Sequence, residues 1–134
     1  MTAVDTNVLV RLLTGDDPAQ ERAARLLFES GRIWIAKTVL LETAWVLRSL
    51  YGFEEEAIRA ALTKLLGLRN VSVEDAPAVA AALAFVSEGI EFADAIHLAS
   101  RPNGATFVSF AHTGLHRMFA KNDRIMSLSA VSAD

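Results

Sequence analysis

Short β-branched or aromatic runs alternate along the whole chain with longer segments of helical apolar spacing, and this alternation restricts the fold more than any other feature. Thr2-Ala3-Val4, Arg32-Ile33-Trp34-Ile35-Ala36, Val71-Ser72-Val73 and Thr106-Phe107-Val108-Ser109 read as strands, with residues 128–131 as a short edge strand. Strands separated by helices pair in parallel, because a parallel connection needs a crossover of a dozen or more residues. A parallel sheet needs cover on both faces. The expectation is an α/β fold, a three-layer α/β/α arrangement with a central parallel sheet. At 134 residues the chain has room for a single domain, residues 1–134.

Helix boundaries follow from caps and glycines. Asp17-Pro18-Ala19-Gln20 supplies a cap, a proline at the first helical position and a Gln three after the cap, predicting a helix to Ser30 that Gly31 stops. Thr38 is the expected cap of a helix over residues 39–50, ended by Gly52. Residues 54–66 continue with Ala57, Ile58, Ala61, Leu62 and Leu65 at helical spacing, closed by Gly67. Asp75 and Pro77 open an alanine-rich helix, and residues 92–100 form a short one before Pro102-Asn103-Gly104. Residues 115–121 look helical as well.

Charge and composition remove several function classes. There are 13 Lys+Arg against 16 Asp+Glu, a net charge of -3, so bulk electrostatics does not draw this chain to nucleic acid. Any polyanion must be held locally. With no cysteine, a thiolate metal site and a cysteine nucleophile are excluded, and the content fits a reducing cytoplasm. No apolar run approaches the roughly 20 residues needed to span a bilayer, so no membrane association is expected.

Three acids stand in apolar settings. Asp5 directly follows the first strand, which is expected at the centre of the sheet, where open parallel folds bind ligands beyond the carboxyl ends of strands. Capping the next helix explains it equally well. Glu42 is the single charge in Val39-Leu40-Leu41-Glu42-Thr43-Ala44-Trp45-Val46-Leu47, so it either pairs with Arg48 or Lys37, stands exposed on a narrow polar stripe, or, if buried, needs protonation or a metal. Asp94 lies in Phe92-Ala93-Asp94-Ala95-Ile96, near a helix start, where Glu91 is the better placed residue for capping. Carboxylates about 5 Å apart repel by roughly 3 kcal/mol at an effective dielectric of 20, so a cluster of the three calls for a cation.

Val4-Asp5-Thr6-Asn7-Val8-Leu9-Val10-Arg11, the mid-helix Glu42, and Phe92-Ala93-Asp94-Ala95-Ile96 followed by Thr106-Phe107-Val108-Ser109-Phe110 together resemble a PIN domain, and more narrowly the VapC-type toxins. The resemblance implies a PIN-like fold over the whole chain and a Mg²⁺- or Mn²⁺-dependent endoribonuclease. It further implies a cytoplasmic homodimer inhibited by a small VapB-type antitoxin. Asp5, Glu42 and Asp94 are then the catalytic and metal-binding residues. Thr6, Asn7, Ser109 and His112 are placed to position substrate or water. All-oxygen ligation suits Mg²⁺ or Mn²⁺, and such an ion can activate water for hydrolysis of an RNA phosphodiester. One departure stands out: where the family commonly places a fourth acid, this chain has Ala111 and then His112. That loss keeps an alternative open, a catalytically weakened PIN-like binding module acting through its antitoxin or RNA partner.

Other readings are weaker. A haloacid-dehalogenase-type phosphotransferase needs a second Asp where Asn7 stands, and a receiver-like domain needs paired acids after its first strand. His97 reads as a packed or locally bonded helix residue, and His116 with Arg117 as solvated surface. Arg11, Arg48 and Arg101 read chiefly as surface charge, with phosphate contact as the rival. Asp123 lies too far along to replace the missing acid. Trp34 and Trp45 read as core or dimer-interface residues rather than base-stacking platforms, and Tyr51 and Phe53 as exposed aromatics at the tip of a helix pair.

Overall fold

The computed structural model describes residues 1–110 and 125–127. The elements follow the order β1 (Thr2–Ala3), α1 (Thr6–Thr14), α2 (Pro18–Ser30), β2 (Ile33–Ile35), α3 (Lys37–Ser49), α4 (Glu55–Leu66), β3 (Val71–Val73), α5 (Ala76–Ser87), α6 (Phe92–Ala99), β4 (Phe107–Ser109) and β5 (Ile125–Ser127). β1, β2 and β3 form a parallel sheet in that order, with Thr2 opposite Ile33 and Ile33 opposite Val71. β4 and β5 pair in parallel as a separate two-stranded sheet, Phe107 opposite Ile125. Among the described residues, six helices around a parallel three-strand sheet meet the expected α/β/α class.

The sheet order corrects one expectation. β1 lies at an edge of the three-stranded sheet and β2 takes the centre. Burial explains the exchange: both residues of β1 are exposed, whereas Ile33 and Ile35 of β2 are completely buried. The strand with most apolar surface to hide occupies the position with neighbours on both sides. Val4 still extends the β1 ladder, donating its N–H to the Trp34 carbonyl at 3.3 Å, so Asp5 begins where pairing ends. The last strand, expected at residues 128–131, is found at Ile125–Ser127. The expected helix at residues 115–121 lies outside the described residues.

Local signals set most helix ends. The Asp17 carboxylate accepts from the Gln20 N–H at 3.1 Å, as its cap position predicts. Gly15 closes α1 at φ 66°, a left-handed conformation costly for a side chain with a Cβ. Two caps come from afar instead. α3 starts at Lys37 rather than after Thr38, and its first N–H donates to the Glu74 carboxylate at 2.9 Å. α6 makes no side-chain cap with Glu91; its Phe92 N–H donates to Glu55 of α4 at 3.2 Å. The core joins Leu9 of α1, Ile33 and Ile35, Leu40 and Leu47 of α3, Ile58 and Leu62 of α4, Val79 and Ala82 of α5, and Phe92, Ala95 and Leu98 of α6.

Tyr51 and Phe53 are half-buried rather than exposed. The Tyr51 hydroxyl donates to Asp16 at 2.5 Å, Arg11 pairs with the same carboxylate at 2.8 Å, and the Thr14 hydroxyl donates to it at 3.1 Å. Arg11 is therefore engaged within the fold, not held free for phosphate. The Tyr51 hydroxyl, ahead of the Arg11 guanidinium, holds the Asp16 carboxyl below its ordinary value. A carboxyl depressed in the folded state releases protons there that the unfolded chain retains, so its contribution is full above the unfolded value, about 3.9. It is lost as pH falls through the lower folded value. Tyr51→Phe should accordingly shrink the loss of melting temperature below about pH 4, measured as thermal melts across an acid series against the parent.

Candidate functional site

Asp5, exposed at the end of the β1 ladder, caps α1 by accepting the Val8 N–H at 3.3 Å. Its helix-capping role is thus realised, and one carboxylate oxygen is engaged in it. Thr6, the first residue of α1, is buried, while Asn7 beside it is exposed. The Thr6 hydroxyl donates to the Glu42 carboxylate across a separation of 36 residues. This bond ties the start of α1 to the middle of α3.

Of the settings open to Glu42, exposure on a polar stripe is the one found, not burial. The residue lies on the same face of α3 as Thr38 and Trp45 at spacings of four and three residues. Leu40, Thr43, Ala44 and Leu47 take the buried face. The sequence run looked wholly apolar because Trp45, 54% exposed, stands on the solvent side. The expected basic partners are occupied elsewhere: Lys37 pairs with Asp75 at 2.9 Å and bonds the Ser100 hydroxyl at 3.1 Å, and Arg48 pairs with Glu91. Lys37 holds the Asp75 carboxyl below its usual range.

Asp94 lies half-buried in the first turn of α6, where free N–H groups favour an anion. α6 packs against α3, and a cavity of about 500 Å³ opens between them, lined by Thr38, Glu42 and Trp45 on one side and Ala93 and His97 on the other. His97, expected to be packed, is exposed into this space. Trp45 and His97 line the cavity, a place that sequence reasoning did not give them, reading the one as core or dimer interface and the other as packed or locally bonded. The available signals were the 38, 42, 45 spacing on α3 and the three-residue step from Asp94 to His97, which puts both on adjoining parts of one helix face.

Ser109, half-buried at the end of β4, donates its hydroxyl to the Phe110 carbonyl at 3.1 Å. Ala111, His112, His116, Arg117 and Asp123 lie outside the described residues. The donors at hand are carboxylates, a hydroxyl and an amide, a set whose chemistry fits a hard divalent cation. Among the described residues, however, no three carboxylate or imidazole side chains are gathered into a group that could hold a metal ion. The structure joins Asp5, Thr6 and Glu42 through sequence adjacency and one hydrogen bond, and brings α6 to the far side of the same cavity.

Compared with known families, the chain matches the PIN domain over residues 2–106. The chain belongs to the PIN-domain family. A search of curated proteins and a search of solved structures each found no match. PIN domains are generally nucleases and typically use divalent metals, so membership supports a hydrolase acting on nucleic acid. The match takes in Asp5, Glu42 and Asp94 and stops one residue short of β4. The carry-over to Ser109 and His112 therefore draws nothing from it. Among the described residues of this PIN domain no helix is long and apolar enough to cross a membrane.

The Thr6–Glu42 bond gives a direct test of how this corner is held. Thr6→Val keeps the shape and removes the donor. Because Glu42 is exposed and water can replace the hydroxyl, the expected loss is about 1 kcal/mol or less, read from urea denaturation. A larger loss would mean that the bond organises the α1–α3 contact as well.

Proposed function

We propose that this PIN domain is a metal-dependent endoribonuclease, the toxin of a type II toxin–antitoxin pair, hydrolysing RNA phosphodiesters. The observation that carries the reading is the junction of two acid-bearing elements: Thr6, next to Asp5, holds Glu42 beside a cavity whose other wall is the Asp94 helix. The family match covering all three acids supports the same assignment. Asp5, Glu42 and Asp94 would hold Mg²⁺ or Mn²⁺, which supplies positive charge against the phosphate and activates water. Thr6 fixes the orientation of Glu42, and the exposed Asn7 amide offers a hydrogen-bond donor to substrate at the same helix start. Ser109 and His112 complete the proposed positioning set.

The proposal includes a cytoplasmic homodimer and a VapB-type antitoxin whose cationic side chain docks among the three acids. Purified protein freed of antitoxin, incubated with total cellular RNA and Mg²⁺ or Mn²⁺, should cleave it, and EDTA should stop the reaction. Intact RNA under both metals would sink the nuclease assignment. It would instead favour the weakened binding module, the reading that Ala111 in place of a fourth acid keeps open.

A further inference from the structure

We infer that Trp45 is a substrate-binding residue, a platform on which one base of a single-stranded RNA stacks beside Glu42. The inference rests on the ribonuclease reading and deepens it by naming how the strand is gripped. A chain with net charge -3 has no bulk attraction for RNA, and among the described residues the two cations on α3, the helix of one cavity wall, are paired: Lys37 with Asp75, Arg48 with Glu91 and Glu55. Contact with neutral bases is a local source of affinity that depends on none of these cations. Base–aromatic stacking is sequence-tolerant, because every base presents a π-face.

The geometry suits that role. Trp45 is 54% exposed although it sits mid-helix in a run of core residues, and it lies about one turn beyond Glu42 on the same face. Its indole forms one wall of the cavity of about 500 Å³, within the size range of small-ligand pockets, roughly 300–1,000 Å³. The Thr38 hydroxyl and the His97 imidazole lie in the same lining and offer donors and acceptors to a base edge. A second copy of the chain fits this surface less well. The cores of protein interfaces are depleted in charge, and here a carboxylate stands in the wall beside the indole. A neutral base meets Glu42 without charge repulsion.

The test uses fluorescence in EDTA, so that binding is read without cleavage. Trp34→Phe leaves Trp45 as the sole tryptophan. An RNA hexamer should quench its emission, and an abasic ribose-phosphate hexamer should not. With Mn²⁺ present, Trp45→Ala should raise KM for RNA cleavage by about tenfold, with a smaller effect on kcat, and Trp45→Phe should recover most of the loss. Equal response to the two hexamers, or cleavage with KM unchanged in Trp45→Ala, overturns the inference while leaving the nuclease reading intact. Absence of EDTA-sensitive cleavage by the parent protein overturns the nuclease reading itself. A shift from dimer to monomer in sedimentation of Trp45→Ala, with no quenching by RNA, would assign the indole to contact between copies and also overturn the inference.

Discussion

Asp5→Asn is expected to abolish EDTA-sensitive RNA cleavage, by about 100-fold or more, while leaving the protein folded. The choice of Asn separates two jobs held by one side chain. Asp5 caps α1 through the Val8 N–H, and Asn accepts that bond about as well as Asp does. Its charge, the part that a divalent cation and a scissile phosphate would require, is gone. Asp5→Ala removes both and should cost about 1 kcal/mol of stability besides. Asp94→Asn should silence cleavage to a similar degree, since the proposed role again rests on charge. Thermal melts beside RNA cleavage assays separate the effects. Full activity in Asp5→Asn and Asp94→Asn, with the fold intact, would end the assignment of the nuclease site to these acids, because neither carboxylate would then be needed.

Much of the architecture was legible because it is written in local signals. The Asp17-Pro18 cap, the limits of β3 and the Gly31 stop after α2 depend on residues adjacent in sequence, and these fell where expected. What was not legible depends on residues far apart. Glu74 and Glu55 cap helices that neither belongs to, from separations of 37 residues, and nothing near Lys37 or Phe92 announces them. Sheet order was misplaced for a related reason: the first strand is usually central in open parallel folds, but burial of Ile33 and Ile35 puts β2 there.

The candidate site was legible in identity and poorly so in setting. Glu42 was singled out because its neighbours are apolar, yet it is exposed, since a helix turns a contiguous apolar run onto several faces. The unexpected partner was a hydroxyl from the residue after Asp5, not an arginine or lysine. That one bond joins the N-terminal motif to the mid-helix acid, a link that no spacing in the sequence states. Of the three acids Glu42 lines the cavity, Asp94 belongs to the helix that forms its other wall, and Asp5 is linked to it through Thr6 and the bond to Glu42; among the described residues they form no gathered metal-holding group.

Phe92→Ala should produce the largest loss of stability, about 3–5 kcal/mol, with a fall in melting temperature on the order of 10 °C. Phe92 is 1% exposed and, among the described residues, is the largest of the fully buried side chains. It begins α6, whose packing on α3 and α5 forms one wall of the cavity. Truncation there removes apolar contact and opens a void in close-packed surroundings, and the two terms add. Leu26, 59% exposed on α2, is the control, and Leu26→Ala should change stability by about 0.5 kcal/mol or less. The Phe92 N–H is also held by Glu55, so Glu55→Gln, which keeps an acceptor oxygen, should cost far less than Phe92→Ala. Chemical denaturation of the three variants gives the comparison. If Phe92→Ala loses no more than Leu26→Ala, α6 is not anchored through this ring, and the cavity wall that carries Ala93 and His97 must be held by its Leu98 and Ile96 contacts instead.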